Sequence, residues 1–298
     1  MRFLKFAVLA ALFALPVSSA NAGVLSSLLS FDSDLDLLID DSASFVVDRA
    51  DDADLLQVGD LLQGAFNLDV IDGNTVPSGS SIFGVFSFEV ESITGGPTVQ
   101  LVQFGAPTAA ADSVLNIGGV DLSGIADASV TDTALLIIES DASSLNTNGL
   151  DASTLFTTDF NGFEAVIAAG FVDDDDQQTV LAGPLVDVTD LTAPSLVNGT
   201  SIPFQVAEFS TSLSVTGSTF GLFLPVPNPS PLSSGAFGDL IGTGTISTPT
   251  EALSENGFLF SDDGVFAINA VPEPTSVAIF GFIALCSFER RRRKSPVA

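Results

Sequence analysis

What most constrains this chain is a series of short apolar runs with period-two alternation, each bounded by Gly, Pro, Asn or Asp. They fall at 44–48, 61–71, 82–94, 98–104, 133–140, 165–172, 179–181, 203–215, 220–226, 237–245 and 265–269. A helix repeats every 3.6 residues and a strand every two, so these runs predict strands. Within 82–94, Phe83, Val85, Ser87, Glu89 and Glu91 share one face. Phe86, Phe88 and Val90 share the other, which is the face that can pack a core. Many short strands with turn-rich connections predict an all-β ectodomain over residues 23–270, a β-sandwich or jelly-roll-like fold. The place for a short helix is 145–169, which the turn at Phe160-Asn161-Gly162 divides. Asp262-Asp263-Gly264 reads as an Asp-Gly turn joining strands around Phe260 and Phe266. Asp173 to Asp176 reads as a solvated hairpin tip. No 20-to-50-residue repeat is visible, which argues against a solenoid or propeller.

Charge then limits what such a fold can do. The 298 residues include 37 Asp and Glu, 8 Lys and Arg, and no His. All the basic residues except Arg49 lie near the two ends, at Arg2, Lys5 and Arg290 to Lys294. Two of the acids, Glu273 and Glu289, also lie in the tail, so residues 23–271 hold 35 acids against Arg49 alone, a formal net charge of −34. Nucleic-acid affinity rests on cationic side chains neutralising phosphates, so no DNA or RNA partner is expected. A Ser-His-Asp or Cys-His arrangement is impossible without His, and the sole cysteine, Cys286, lies in the tail. The 25 Phe are unaccompanied by Trp or Tyr, so no aromatic ring carries a polar handle for a sugar. The chain is therefore not expected to be an enzyme. Its plentiful carboxylates keep an acidic glycosidase as the outside reading.

The two ends carry addresses. Arg2 and Lys5 precede an apolar run at 6–15, and the small residues Ala20 and Ala22 then form an A-x-A site that predicts signal-peptidase cleavage before Gly23. At the other end Val271-Pro272-Glu273-Pro274 precedes twelve apolar residues at 277–288 and the basic stop Arg290, Arg291, Arg292, Arg293 and Lys294. Twelve helical residues reach about 18 Å, short of the roughly 30 Å hydrocarbon layer, so this membrane helix makes a weak permanent anchor. The basic cluster favours retention on the cytoplasmic side of the membrane.

The Pro-Glu-Pro motif, short membrane helix and arginine cluster at 271–294 resemble the PEP-CTERM sorting signal of Gram-negative bacteria. The resemblance implies processing by an exosortase-like enzyme, display on the cell surface or in the extracellular matrix, and an association with exopolysaccharide. It covers the tail only and implies no activity for residues 23–270. The expected function is thus that of an exported structural or interaction protein. Its expected partners are signal peptidase, an exosortase-like enzyme, extracellular polysaccharide and, through the tail, the membrane.

One motif offers a metal. Asp32 to Asp60 contains ten Asp, and Asp48, Asp52, Asp54 and Asp60 resemble a degenerate Asp-rich Ca²⁺ loop. Hard Ca²⁺ takes six to eight oxygen ligands, which alternating carboxylates can supply. Ala50, Ala53 and Gly59 stand where an EF-hand would place the ligand of position three, its turn glycine and its bidentate Glu. With Ca²⁺ as cofactor the alternative function is a calcium-dependent carbohydrate-binding module. Without it, the stretch is a solvated acidic loop between two strands.

Overall fold

The computed structural model describes residues 23–29, 35–47, 49, 56–96, 99–141, 147–182, 196–197, 200–201, 205–219, 222–233, 235–247 and 249–271. Ten main strands run in chain order as β1 Asp36–Val47, β2 Leu61–Ile71, β3 Ser81–Gly96, β4 Val99–Gly105 and β5 Thr133–Ser140, then β6 Glu164–Gly170, β7 Gln177–Ala182, β8 Gln205–Ser218, β9 Leu240–Ser247 and β10 Phe260–Ile268. The protein is all-β as its alternation requires. Neighbours follow the order β2-β1-β10-β9-β8-β6-β5-β3, and β3 pairs back with β2, so eight antiparallel strands close into a barrel-like ring. Closure satisfies backbone groups that an open sheet would leave along its edges.

Two long strands fork the ring. β3 pairs with β5 through Ser81–Phe86 and with β4 through Glu89–Gly96. β8 pairs with β7 through Ala207–Ser212 and with β6 through Ser214–Ser218. Because β4 and β7 also pair with each other, they form a second tier beside β5 and β6. Register shifts between Val90 and Ser92 and between Val215 and Gly217 fall close to the two forks. A bulge bends its strand, which lets one strand serve two tiers.

The period-two pattern sorts side chains between two cores. Phe66, Phe86, Phe88, Phe209 and Phe266 fill the barrel interior with Leu38, Leu135 and Ile246. Phe83, Val85, Leu136 and Ile138 face outward, where a layer of short 3₁₀ turns brings Val114, Ile117, Leu155 and Phe160 down onto them. Strand β5 is buried along its whole length because it lies between these two cores.

Phe suits the interior for a specific reason. Four inward-facing rings stand opposite a glycine on the neighbouring strand, in the pairs Phe86 with Gly64, Phe66 with Gly84, Phe209 with Gly244 and Phe266 with Gly242. Each ring occupies the space that a Cβ on its glycine would need. Glycine weakens a strand, and a cross-strand aromatic covers the backbone that it exposes.

Three local expectations are corrected. Asp262-Asp263-Gly264 forms no turn, because it lies mid-strand in β10, paired with β1 on one side and β9 on the other. Its Gly264 serves close packing, since a Cβ there would meet Asp40 and Phe209. The segment from 171 to 176 joins β6 to β7, which lie in different tiers, so it is a crossing and not a hairpin tip. The Asp-dense stretch is not all loop, since Asp36, Asp40 and Asp41 belong to β1. In the 145–169 region the helical elements are the 3₁₀ segments Thr147–Gly149 and Ala152–Thr157, and Gly162 at φ +86° turns the chain into β6.

Candidate functional site

Besides the turn at Asp60, two places hold buried carboxylates with raised pKa, at Asp40 with Asp262 and at Glu139. The first is inside the barrel. Along β1, Leu38, Asp40, Ser42 and Ser44 face inward while Leu37, Ile39 and Asp41 are exposed. Register sets Ser42 opposite Asp262 and Asp40 opposite Gly264. Asp262 Oδ2 accepts hydrogen bonds from Ser42 Oγ at 3.2 Å and Ser44 Oγ at 3.1 Å. The other oxygen of Asp262 and Oδ1 of Asp40 are buried without a hydrogen-bond partner among the described residues. Burial pushes Asp262 up to about 6, and the two serine hydroxyls oppose that shift. Asp40 is held well above the usual carboxylate range by burial and by the negative charges of Asp262, Asp263 and Asp41. The adjoining cavity, lined also by Gln178, Thr211 and the Phe rings, measures about 30 Å³. Such a space holds roughly one water molecule, so the pair can take up a proton or a small cation but cannot receive a sugar ring.

The second place is at one end of the barrel. Helix α1, Val24–Leu28, sends Leu25 into the interior cluster. It is a single turn, too short to persist alone, and is held by what it packs on. Glu139, at the end of β5, is almost fully buried, and its Oε2 accepts the Leu25 amide at 2.6 Å. Register places Glu164 of β6 opposite Glu139, and Asp121 and Asp141 face the same groove of about 950 Å³. Burial raises Glu139 above the ordinary carboxylate range, the Leu25 amide lowers it, and the charges of Glu164 and Asp141 raise it again.

Of the expected metal ligands, only Asp60 is described. It is fully buried and works as a turn clamp, its Oδ1 accepting Arg49 N at 3.0 Å and its Oδ2 accepting Gln57 N at 2.7 Å. Asp48, Asp52 and Asp54 lie outside the described residues, as do Ala20 and Ala22 of the cleavage site, Pro272 to Pro274 and Arg290 to Lys294. Val271 closes a two-residue strand that pairs with Leu222. Among the described residues, no group of three or more His, Cys, Asp or Glu side chains is arranged to hold a metal, and no helix is long and apolar enough to cross a membrane. Arg49 forms an ion pair with Asp112, so the only basic side chain of the ectodomain is engaged.

Asp40, Asp262 and Glu139 were all missed by sequence reasoning. Each stands at a buried position of a β run, Glu139 as the lone acid of Leu-Leu-Ile-Ile-Glu-Ser, and that is the signal that could have found it. Comparison with known proteins adds no family: the chain matches no protein-family model, no curated protein and no solved structure.

Proposed function

We propose that this chain is an exported surface or matrix protein, sorted through its PEP-CTERM-like tail by an exosortase-like enzyme. Its ectodomain acts as a non-enzymatic, sandwich-like barrel that carries negative charge to the exterior. The observation that carries this reading is the uncompensated charge: 35 acids between residues 23 and 271 face one arginine, and that arginine is already paired with Asp112. A scaffold so charged attracts cations, and divalent cations can bridge it to acidic polysaccharide in an extracellular matrix. The Phe-filled interior supports a structural role, because it leaves cavities of about 30 and 20 Å³ and no room there for a polysaccharide.

Fractionation of the producing cells tests the proposal. The protein should be found with extracellular polysaccharide and should be released by a chelator at constant ionic strength. Recovery from the cytoplasm, or retention in the matrix that is indifferent to both chelator and salt, would contradict it.

A further inference from the structure

A cation stabilises the charged form of a buried carboxylate, and the ectodomain has no basic side chain to spare for Glu139, since its one arginine is paired with Asp112. At the end groove Glu139 faces Glu164, Asp141 and Asp121, and among the described residues no Lys or Arg lines that groove. What does touch Glu139 is the backbone at Gly23. A Cβ built on Gly23 would overlap Glu139 Oε1 and sit 2.7 Å from its carboxyl carbon. Two bonds separate that position from the Gly23 nitrogen, so the nitrogen lies within about 5 Å of the carboxyl carbon. Opposite charges interact strongly over that range. Gly23 is also the residue that the A-x-A site makes the first of the exported chain.

We propose that signal-peptide removal creates the missing cation, the α-ammonium of Gly23, and that Glu139 clasps it to lock α1 onto the barrel. This inference rests on the export reading above, since an uncleaved chain carries only a neutral amide at that nitrogen. Two independent lines meet at one residue, the cleavage pattern before Gly23 and the packing of Glu139 against it. Gly at this position leaves space for the carboxylate, and the α1 amide at Leu25 holds the carboxylate in place. Full stability would then come only to a chain that has been exported and cut.

The amine can be read almost alone. Residues 23–271 contain no lysine, so within them an amine-reactive acetylating reagent can mark only the α-amine of Gly23, and Lys294 serves as a reference wherever the tail is retained. The protein exported from full-length chains is purified as wild type, Glu139→Gln and Gly23→Ala, and sequenced from its N-terminus. It is then labelled at pH 7. A clasped ammonium holds its proton to higher pH, and a tenfold tighter hold on the proton leaves about tenfold less of the reactive amine. Wild type should therefore label about tenfold more slowly than the same protein unfolded in urea, and both variants should lose that protection. Should Glu139→Gln fail to fold, wild type still decides through its melting temperature. A raised ammonium pKa stabilises below the unfolded value of about 8 and loses that contribution as pH climbs through the folded value. Melting should fall between pH 7.5 and 10 in wild type and not in protein acetylated at Gly23. An N-terminus other than Gly23 would overturn the export premise. A Gly23 amine as reactive when folded as when unfolded would overturn the clasp while leaving export standing.

Discussion

At the scale of the residue, Asp262 sets the electrical cost of the interior. Its folded pKa of about 6 exceeds the unfolded value of about 3.9, so the folded state binds the proton more tightly. Stability from this group is therefore greatest below about pH 4, falls as pH rises through 4 to 6, and stays reduced above that window. The difference between those two pKa values corresponds to about 3 kcal/mol at neutral pH. Asp262→Asn keeps an oxygen to accept from Ser42 and Ser44 and removes the buried charge. The variant should gain about 2 kcal/mol at pH 7.5, or roughly 4–8 °C in a domain of this size, and nothing at pH 4. Thermal melts of both proteins at the two pH values check this. A variant that melts lower than wild type at pH 7.5 would contradict an uncompensated buried charge at Asp262.

Among the elements, the cross-strand Phe–Gly pairs decide whether the barrel closes. Gly84→Ala places a methyl group in the volume of the Phe66 ring, which is itself stacked on Phe266 at 5.6 Å between centroids. The ring borders a cavity of only about 30 Å³, so overpacking should cost about 1–3 kcal/mol by urea denaturation. Phe66→Ala should cost more, about 3–5 kcal/mol, through the cavity it leaves. A neutral Gly84→Ala would show that the interior is loosely packed.

The same elements show what could be read in advance. Alternation in 82–94 sorts the side chains of β3 correctly and places Phe86, Phe88 and Val90 in a core, but it does not reveal that Phe83 and Val85 enter a second one. The first half of β1 and the middle of β10 escape notice because Asp40, Asp262 and Asp263 look like loop or turn residues. The burial of Asp40 and Asp262 depends on partners about 220 positions away in sequence, as in the pairing of Ser42 with Asp262. Nothing local marks such a carboxylate as internal. Ring closure is hidden for the same reason, since it depends on β3 and β8 each pairing with three strands. Gly23 is legible as a cleavage junction, but its contact with Glu139 joins positions 116 residues apart and needs the fold.

For the whole molecule, the governing quantity is the charge of −34 between residues 23 and 271. Like charges at this density oppose the compact state, and salt shortens their reach from about 30 Å at 0.01 M to about 8 Å at 0.15 M. Melting temperature at pH 7.5 should rise by several degrees over that range with NaCl, and a melt that is independent of salt would contradict a fold strained by its own charge. On the proposed reading the barrel is the exported product of two cuts, one before Gly23 and one near Pro274. The intact mass of the protein recovered from the cell surface or matrix tests both at once. It should correspond to a chain that begins Gly23-Val24-Leu25-Ser26 and lacks Arg290 to Lys294, whereas a mass that retains Met1, or the arginine cluster on most molecules, would contradict export by two cuts.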